Sequence, residues 1–316
     1  MNQYYKPSGK YSAHSFLLFL LAAIFFLPLL GVVYAYTLWN SHLGTGGFFV
    51  YLIFLLAVPY FIAFFVIQWG KVRNESLAKV FGFVGGLVFL CFHWAAWVTL
   101  FDNVSEVGFF HLKFTHHYLN FYDIFNTVTH PMYFFERLVE INAQGTWHWI
   151  TRSSRFDAGA IKGPLLTAVW LIEALVLLAF SKNVPALIAR QPFSESTQSW
   201  HKLKYIPVQK IQNISSFLSK LKKGDEAVLH SLKRVSDESK SHTLLELYYS
   251  EKGEFYLNIE DFIYKVYKKP KRSFFESASL SNLFQDFIQS KTPLRGRTVS
   301  ECLHLSESAG KNLMSI

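Results

Sequence analysis

Four apolar runs, uncharged apart from Glu173 in the last, followed by a basic and heavily punctuated remainder, predict a mainly α membrane protein. The expected architecture is a four-transmembrane-helix bundle with an extracytoplasmic loop containing a short amphipathic helix and a small cytoplasmic α+β tail. Two further observations support it. The chain of 316 residues is 51% hydrophobic and 18% aromatic, mostly Phe, which is too apolar for a soluble domain of this size. Most of the apolar residues also lie before about position 181, so the two parts of the chain face different solvents. The domain expectation is 1–181 for the bundle, 182–290 for the α+β module and 291–316 for a flexible tail.

Each span is read from length and charge. A helix rising ~1.5 Å per residue needs ~20 residues to cross ~30 Å of hydrocarbon, with almost no charge. The segments 16–39, 48–69, 80–101 and 163–180 meet that condition. Lys6 and Lys10 precede the first run, as they would in a signal peptide. That run is about twice the usual signal length and has no small-residue cleavage site after it, so it reads as an uncleaved helix. Pro28 and Pro59 fall inside the first two spans and predict kinks rather than gating hinges. Trp39, Trp69 and Trp97 read as interfacial anchors.

Orientation follows from the flanking cations. Lys6 and Lys10 lie before the first span, the turn at 40–47 has no Lys or Arg, and Lys71, Arg73 and Lys79 follow the second span. The N-terminus is therefore expected in the cytoplasm and the loop 102–162 outside. The 135 residues from 182 onward then return to the cytoplasm. They hold 21 Lys and Arg against 14 Asp and Glu, which suits an anionic inner leaflet. The cations are scattered and no nucleic-acid motif accompanies them, so nucleic acid is not an expected partner.

In the loop, Pro131 at a first helical position, Met132, Phe135, Leu138, Val139 and Asn142 at helical spacing, and Gly145 as a stop predict the amphipathic helix on the outer membrane surface. Trp147 and Trp149 would mark the return into the interface. The loop also carries His111, His116, His117, His130 and His148, and imidazole suits zinc or copper. Adjacent His116 and His117 are badly placed for joint ligation, and no zinc spacing occurs. An interfacial aromatic and His belt is expected rather than a metal site. Beyond the fourth span, 211–221 and 226–235 read as a helix pair. The runs 244–249 and 255–259 read as a hairpin with Gly253 in its loop, and 261–267 as a helix or strand.

Chemistry points to few residues. Glu173 interrupts an apolar run near the middle of the fourth span, where a carboxylate costs several kcal/mol unless it is neutral, paired or turned inward. His93 is the other candidate deep in a span. Counted from the cytoplasmic ends at ~1.5 Å per residue, His93 lies ~20 Å deep and Glu173 ~12 Å deep, an offset of about a turn and a half. A neutral Glu173 serving packing is the preferred reading, and a proton relay or metal site the alternative. Gly82 and Gly86 form a Gly-x-x-x-Gly spacing that lets another helix approach, within the chain or across a dimer. Cys91 and Cys302 lie too far apart in the plan for a disulfide framework, and no catalytic or phosphate-binding motif occurs. No cofactor is expected.

Three segments carry a resemblance: Tyr5-Lys6-Pro7-Ser8-Gly9-Lys10 before the first span, Gly70-Lys71-Val72-Arg73-Asn74 after the second, and Trp170-Leu171-Ile172-Glu173-Ala174 in the fourth. They resemble a family of multipass bacterial membrane proteins with no assigned activity. The resemblance implies a bacterial inner-membrane setting. It also implies Cys pairs in the tail, near 192–200 and in the hairpin loop, in the manner of a split zinc ribbon. This chain has Ser194, Ser196, Ser250 and Gly253 in those stretches, so no thiolate site forms.

The function expected from the sequence is an anchor or interaction protein with a basic cytoplasmic domain, in company with lipid and with a homo-oligomer or membrane-protein partner. The alternative is a small oligomeric transporter or channel component that uses Glu173 and His93. The third class, an intramembrane or outer-face enzyme, has only His residues without a matching constellation.

Overall fold

The structure is a computed structural model. It describes residues 5–40, 44–109, 112–145, 147–149, 158–235, 242–263, 294–298 and 303–315. The chain divides into two compact units, Pro7–Arg190 and Gln191–Ile316 with Met1–Lys6.

Four helices of the first unit are long and apolar enough to cross a membrane: α1 (Ala13–Trp39), α2 (Gly47–Gln68), α3 (Glu75–Asp102) and α6 (Pro164–Ala189). Their outward side chains are apolar too. Phe25, Ile53, Ile172 and Leu175 are each more than 60% exposed, the reverse of a water-soluble surface. Leu27, Val58, Ile62, Val66, Phe89 and Leu177 form the inner core.

α3 is the central helix, packed against both α1 and α6. Its glycines permit this. A Cβ at Gly82 would lie 1.9 Å from the Ser181 carbonyl oxygen of α6, and one at Gly86 would lie 3.0 Å from Ser181 Cβ. Gly31 of α1 approaches from the other side, where a Cβ would stand 2.7 Å from the Phe89 carbonyl oxygen. The Gly-x-x-x-Gly spacing therefore packs two helices of one chain.

Proline leaves local marks. A π-helical turn at Ala22–Phe26 precedes Pro28, whose ring would press on the carbonyl of residue 24 in a regular α-helix. A second π turn, Ile62–Gln68, closes α2 beyond Pro59. α6 runs on past Phe180, where the sequence reading stops, because Lys182 and Asn183 are followed by more apolar residues. Pro185 inside it removes the N–H that Ser181 O would ordinarily accept from. Trp97, expected at an interface, is buried and packs edge-on against Trp39, with ring centroids 5.0 Å apart.

Between α3 and α6 lie β1 (Val104–Phe109), β2 (Leu112–His117), α4 (Phe121–Thr129), α5 (Pro131–Gln144), β3 (Trp147–Trp149) and β4 (Ala158–Ile161). β1 pairs with β2, and β3 with β4, both antiparallel. Asn120 caps α4, its side chain accepting from the Tyr122 N–H at 3.0 Å. α5 begins at Pro131 and ends before Gly145, which takes φ +87°. Its apolar residues divide into two stripes. Phe134, Leu138 and Ile141 face the bundle, whereas Met132, Phe135 and Val139 are exposed. Trp147 and Trp149 lie on β3.

The second unit is built on an antiparallel sheet of order β10-β9-β8-β7, with β11 also paired to β9. The strands are β7 (Lys202–Gln209), β8 (His242–Tyr249), β9 (Phe255–Ile263), β10 (Leu294–Thr298) and β11 (Leu303–Leu305). Ile206, Val208, Leu245, Leu247, Leu257 and Ile259 alternate inward. α7 (Ile214–Lys222), capped by Asn213, and a 3-10 turn at Glu226–Ser231 cover them with Phe217, Leu221 and Leu229. The turn replaces the expected second helix over 226–235. The expected hairpin forms, with Gly253 at φ +81° and Ser250 N–H donating to Glu254 O at 3.0 Å. Residues 264–267 lie outside the described residues.

The stretch from 291, expected to be loose, holds β10, β11 and α8 (Glu307–Ser315). Leu305, Ala309 and Leu313 enter the core, and Ser306 caps α8 while its N–H donates to Glu226 Oε1 at 2.9 Å. A short hairpin, β5 (Phe193–Ser194) with β6 (Ser199–Trp200), precedes the sheet. There the Ser194 and Ser196 hydroxyls hydrogen-bond each other at 2.9 Å, and Lys252 Nζ donates to Ser196 O at 3.2 Å.

Candidate functional site

Glu173 and His93 line one cavity inside the first unit. Every long helix contributes to it: Tyr34 from α1, Tyr51 and Phe54 from α2, His93 from α3, Glu173 from α6. Phe89, Trp94 and Trp170 complete an aromatic wall. The register of α3 against α6 explains the meeting. From the contact of Gly82 with Ser181, His93 is eleven residues up α3 and Glu173 eight residues up α6. At ~1.5 Å per residue their depths differ by about 4.5 Å, well under the offset expected from the apparent span ends.

His93 is 5% exposed and its Nδ1 has no hydrogen-bond partner. Its ring lies 4.5 Å from the Tyr34 ring and 5.0 Å from Trp94, centroid to centroid. Trp94 in turn meets Trp170 edge-on at 4.6 Å. The Tyr51 hydroxyl donates to the Glu173 carbonyl oxygen at 3.3 Å, tying α2 to α6 beside the carboxylate. The space open to the centre of a water-sized sphere is about 10 Å³, enough for one such occupant. A pocket this small, lined by one carboxylate and two phenols, can hold a single water or small ion between polar groups. Sequence reasoning missed Tyr34 and Tyr51, because tyrosine in an apolar helix carries no signal until its neighbours are known.

His111 lies outside the described residues, His116 and His117 lie on β2, and His148 lies on β3. His130 Nδ1 lies 2.8 Å from Asn126 O, which can only accept, so the ring closes the C-terminus of α4. Among the described residues, no group of three or more His, Cys, Asp or Glu is placed to hold a metal ion.

A second polar cluster docks α5 on the end of α3. Arg137 donates to both carboxylate oxygens of Asp102 and also pairs with Glu140. Tyr133 donates to Asp102 at 3.0 Å. Asp102 holds the Arg137 guanidinium above its ordinary range, while burial, then Asp102, raise the Tyr133 phenol. In the second unit, the His201 ring is enclosed, with Nε2 3.4 Å from Glu254 Oε2 and no hydrogen bond to either ring nitrogen. Burial pushes its pKa below the ordinary histidine value, with Glu254 and the Pro192 carbonyl pulling the other way.

No known protein-family model, curated protein or solved structure matches this chain. The resemblance read from the sequence gains no support from them. The class is set by the chain itself, as a protein with four helices long and apolar enough to cross a membrane.

Proposed function

We propose that this is a multipass protein of a bacterial inner membrane, with both ends in the cytoplasm. Its four-helix unit anchors the sheet unit at the membrane surface as an interaction module. The observation that carries this reading is that Gln191–Ile316 is compact by itself, with its own core from Ile206 to Leu313. Lys10, Lys71, Arg73 and Lys79 gather at one end of the bundle, where Arg73 N–H donates to Lys10 O at 2.9 Å; such a cationic end supports a cytoplasmic placement. The 21 Lys and Arg after the fourth span favour anionic lipid there. The exposed stripe of Met132, Phe135 and Val139 on α5 supports its lying in the outer interface.

The test compares the full chain with one ending at Arg190, both purified gently from native membranes and weighed by native mass spectrometry. A stoichiometric partner held by the full chain and lost with the shorter one is the expected result. A partner held equally by both refutes the role given to the sheet unit.

The second reading is a small oligomeric transporter or channel component, favoured by the cavity that Glu173 and His93 share. Four spans are few for transport, so it requires further copies. α6 has room for them, since only 17% of its most apolar stretch is buried inside the bundle.

A further inference from the structure

We infer that the cavity between Tyr34, Tyr51, His93 and Glu173 is a binding site for one ammonium ion. This rests on the second reading, in which the cavity is the working part of the bundle, and names what it would take up. Size comes first. About 10 Å³ of space for the centre of a water-sized sphere admits one water-sized occupant.

The lining then selects for positive charge. Glu173 lines the cavity and, among the described residues, no Lys or Arg does. The rings of Tyr34, Tyr51, Phe54, Phe89, Trp94 and Trp170 surround it, and ring faces attract cations. A carboxylate half-buried among such rings is destabilised unless it is neutralised or paired, and a cation beside it supplies the pair.

Hydrogen-bonding capacity selects among cations. An ammonium ion has four N–H donors. The cavity is lined by the Glu173 carboxylate, the oxygen of Tyr51, whose own proton is given to Glu173 O, and the phenol of Tyr34, with ring faces left to receive the remaining N–H group. An alkali cation needs a shell of oxygens that replaces its hydration, as rings of backbone carbonyls do in potassium channels. One carboxylate and two phenols fall short of that. Water fits by size and can donate to the Glu173 carboxylate, but it leaves the negative charge unpaired.

The experiment is thermal melting of the full chain in lipid nanodiscs, titrated with ammonium chloride and compared with sodium, potassium and tetramethylammonium chlorides at matched ionic strength. The expected result is a saturable rise in melting temperature with ammonium alone, abolished by Glu173→Gln. Tyr51→Phe keeps the ring, removes one acceptor, and should raise the half-saturating ammonium concentration about tenfold. It decides the matter if Glu173→Gln does not fold. An equal response to ammonium and sodium, or none to either, overturns the proposal. So does a response to tetramethylammonium, or one that survives Glu173→Gln and Tyr51→Phe. Uptake of labelled ammonium into proteoliposomes separates the two levels. Saturable binding without uptake upholds the site and refutes the transporter reading, whereas uptake of another solute with no ammonium response refutes the site alone.

Discussion

Replacing Gly82 with Ala tests whether the bundle rests on the contact between α3 and α6. The added Cβ would sit 1.9 Å from Ser181 O and 2.9 Å from Ser181 C, both backbone atoms. Side-chain rotation cannot relieve this. The oxygen must retreat to at least about 3.0 Å, so the two helices separate there by about 1.1 Å. A radial gap of ~0.5–1 Å already forfeits a quarter to a half of the dispersion attraction between facing atoms. Overpacking of this kind costs ~1–3 kcal/mol, placing Gly82→Ala near the upper end. For a unit of this size that corresponds to a fall in melting temperature of roughly 5–10 °C. Reversible thermal melting in nanodiscs would read it, with Leu87→Ala, at a 43% exposed position on the same helix, as the control. Melting of Gly82→Ala within a degree of the parent, with Leu87→Ala unchanged, would show that the close crossing is absent in the bilayer.

Three further outcomes follow from the structure. Asp102→Asn removes the charge that Arg137 and Tyr133 share; with about a quarter of each charged side chain exposed, the loss should be about 1 kcal/mol, read as faster amide exchange in α5 but not in α2. His201, with a folded pKa below its unfolded value, binds fewer protons in the native state. The sheet unit should therefore lose stability as pH falls below ~6.5 toward the folded value, read by amide exchange in β7, and His201→Phe should flatten that dependence. Gly310→Ala would place a Cβ 2.1 Å from Phe255 Cγ, forcing α8 off the sheet at a cost of ~1–3 kcal/mol; unchanged exchange in β11 and α8 would refute that packing.

The four long helices were legible because an uncharged run of that length has one strong explanation. Their ends were less so. Lys182 and Asn183 look like a stop, yet the apolar residues from Val184 to Ile188 carry α6 onward. β7 escaped notice because Pro207 interrupts it; the strand tolerates proline because β8 is its partner on one side only, and on the other side the Pro207 carbonyl accepts from Val235 N–H at 3.1 Å. The stretch after 291 reads as polar, but Leu305, Ala309 and Leu313 suffice once β9 provides a surface. In the site, a charge in an apolar run exposed Glu173, and burial made His93 conspicuous. Their meeting, and the arrival of Tyr34 and Tyr51, depend on helix register. That register comes from the Gly82 contact, which pairwise spacing within a helix does not encode.

One oxygen atom joins two distant positions. Pro185 denies Ser181 O its usual helical donor, and Gly82 leaves the gap that the oxygen occupies. A chain that lost Pro185 would draw this carbonyl back toward its own helix and reduce the penalty for a side chain at 82. A chain that gained a side chain at 82 would pay less with a donor restored at 185. Across descendants of a common ancestor the two sites should therefore be epistatic, with exchanges at one tolerated mainly on backgrounds already changed at the other.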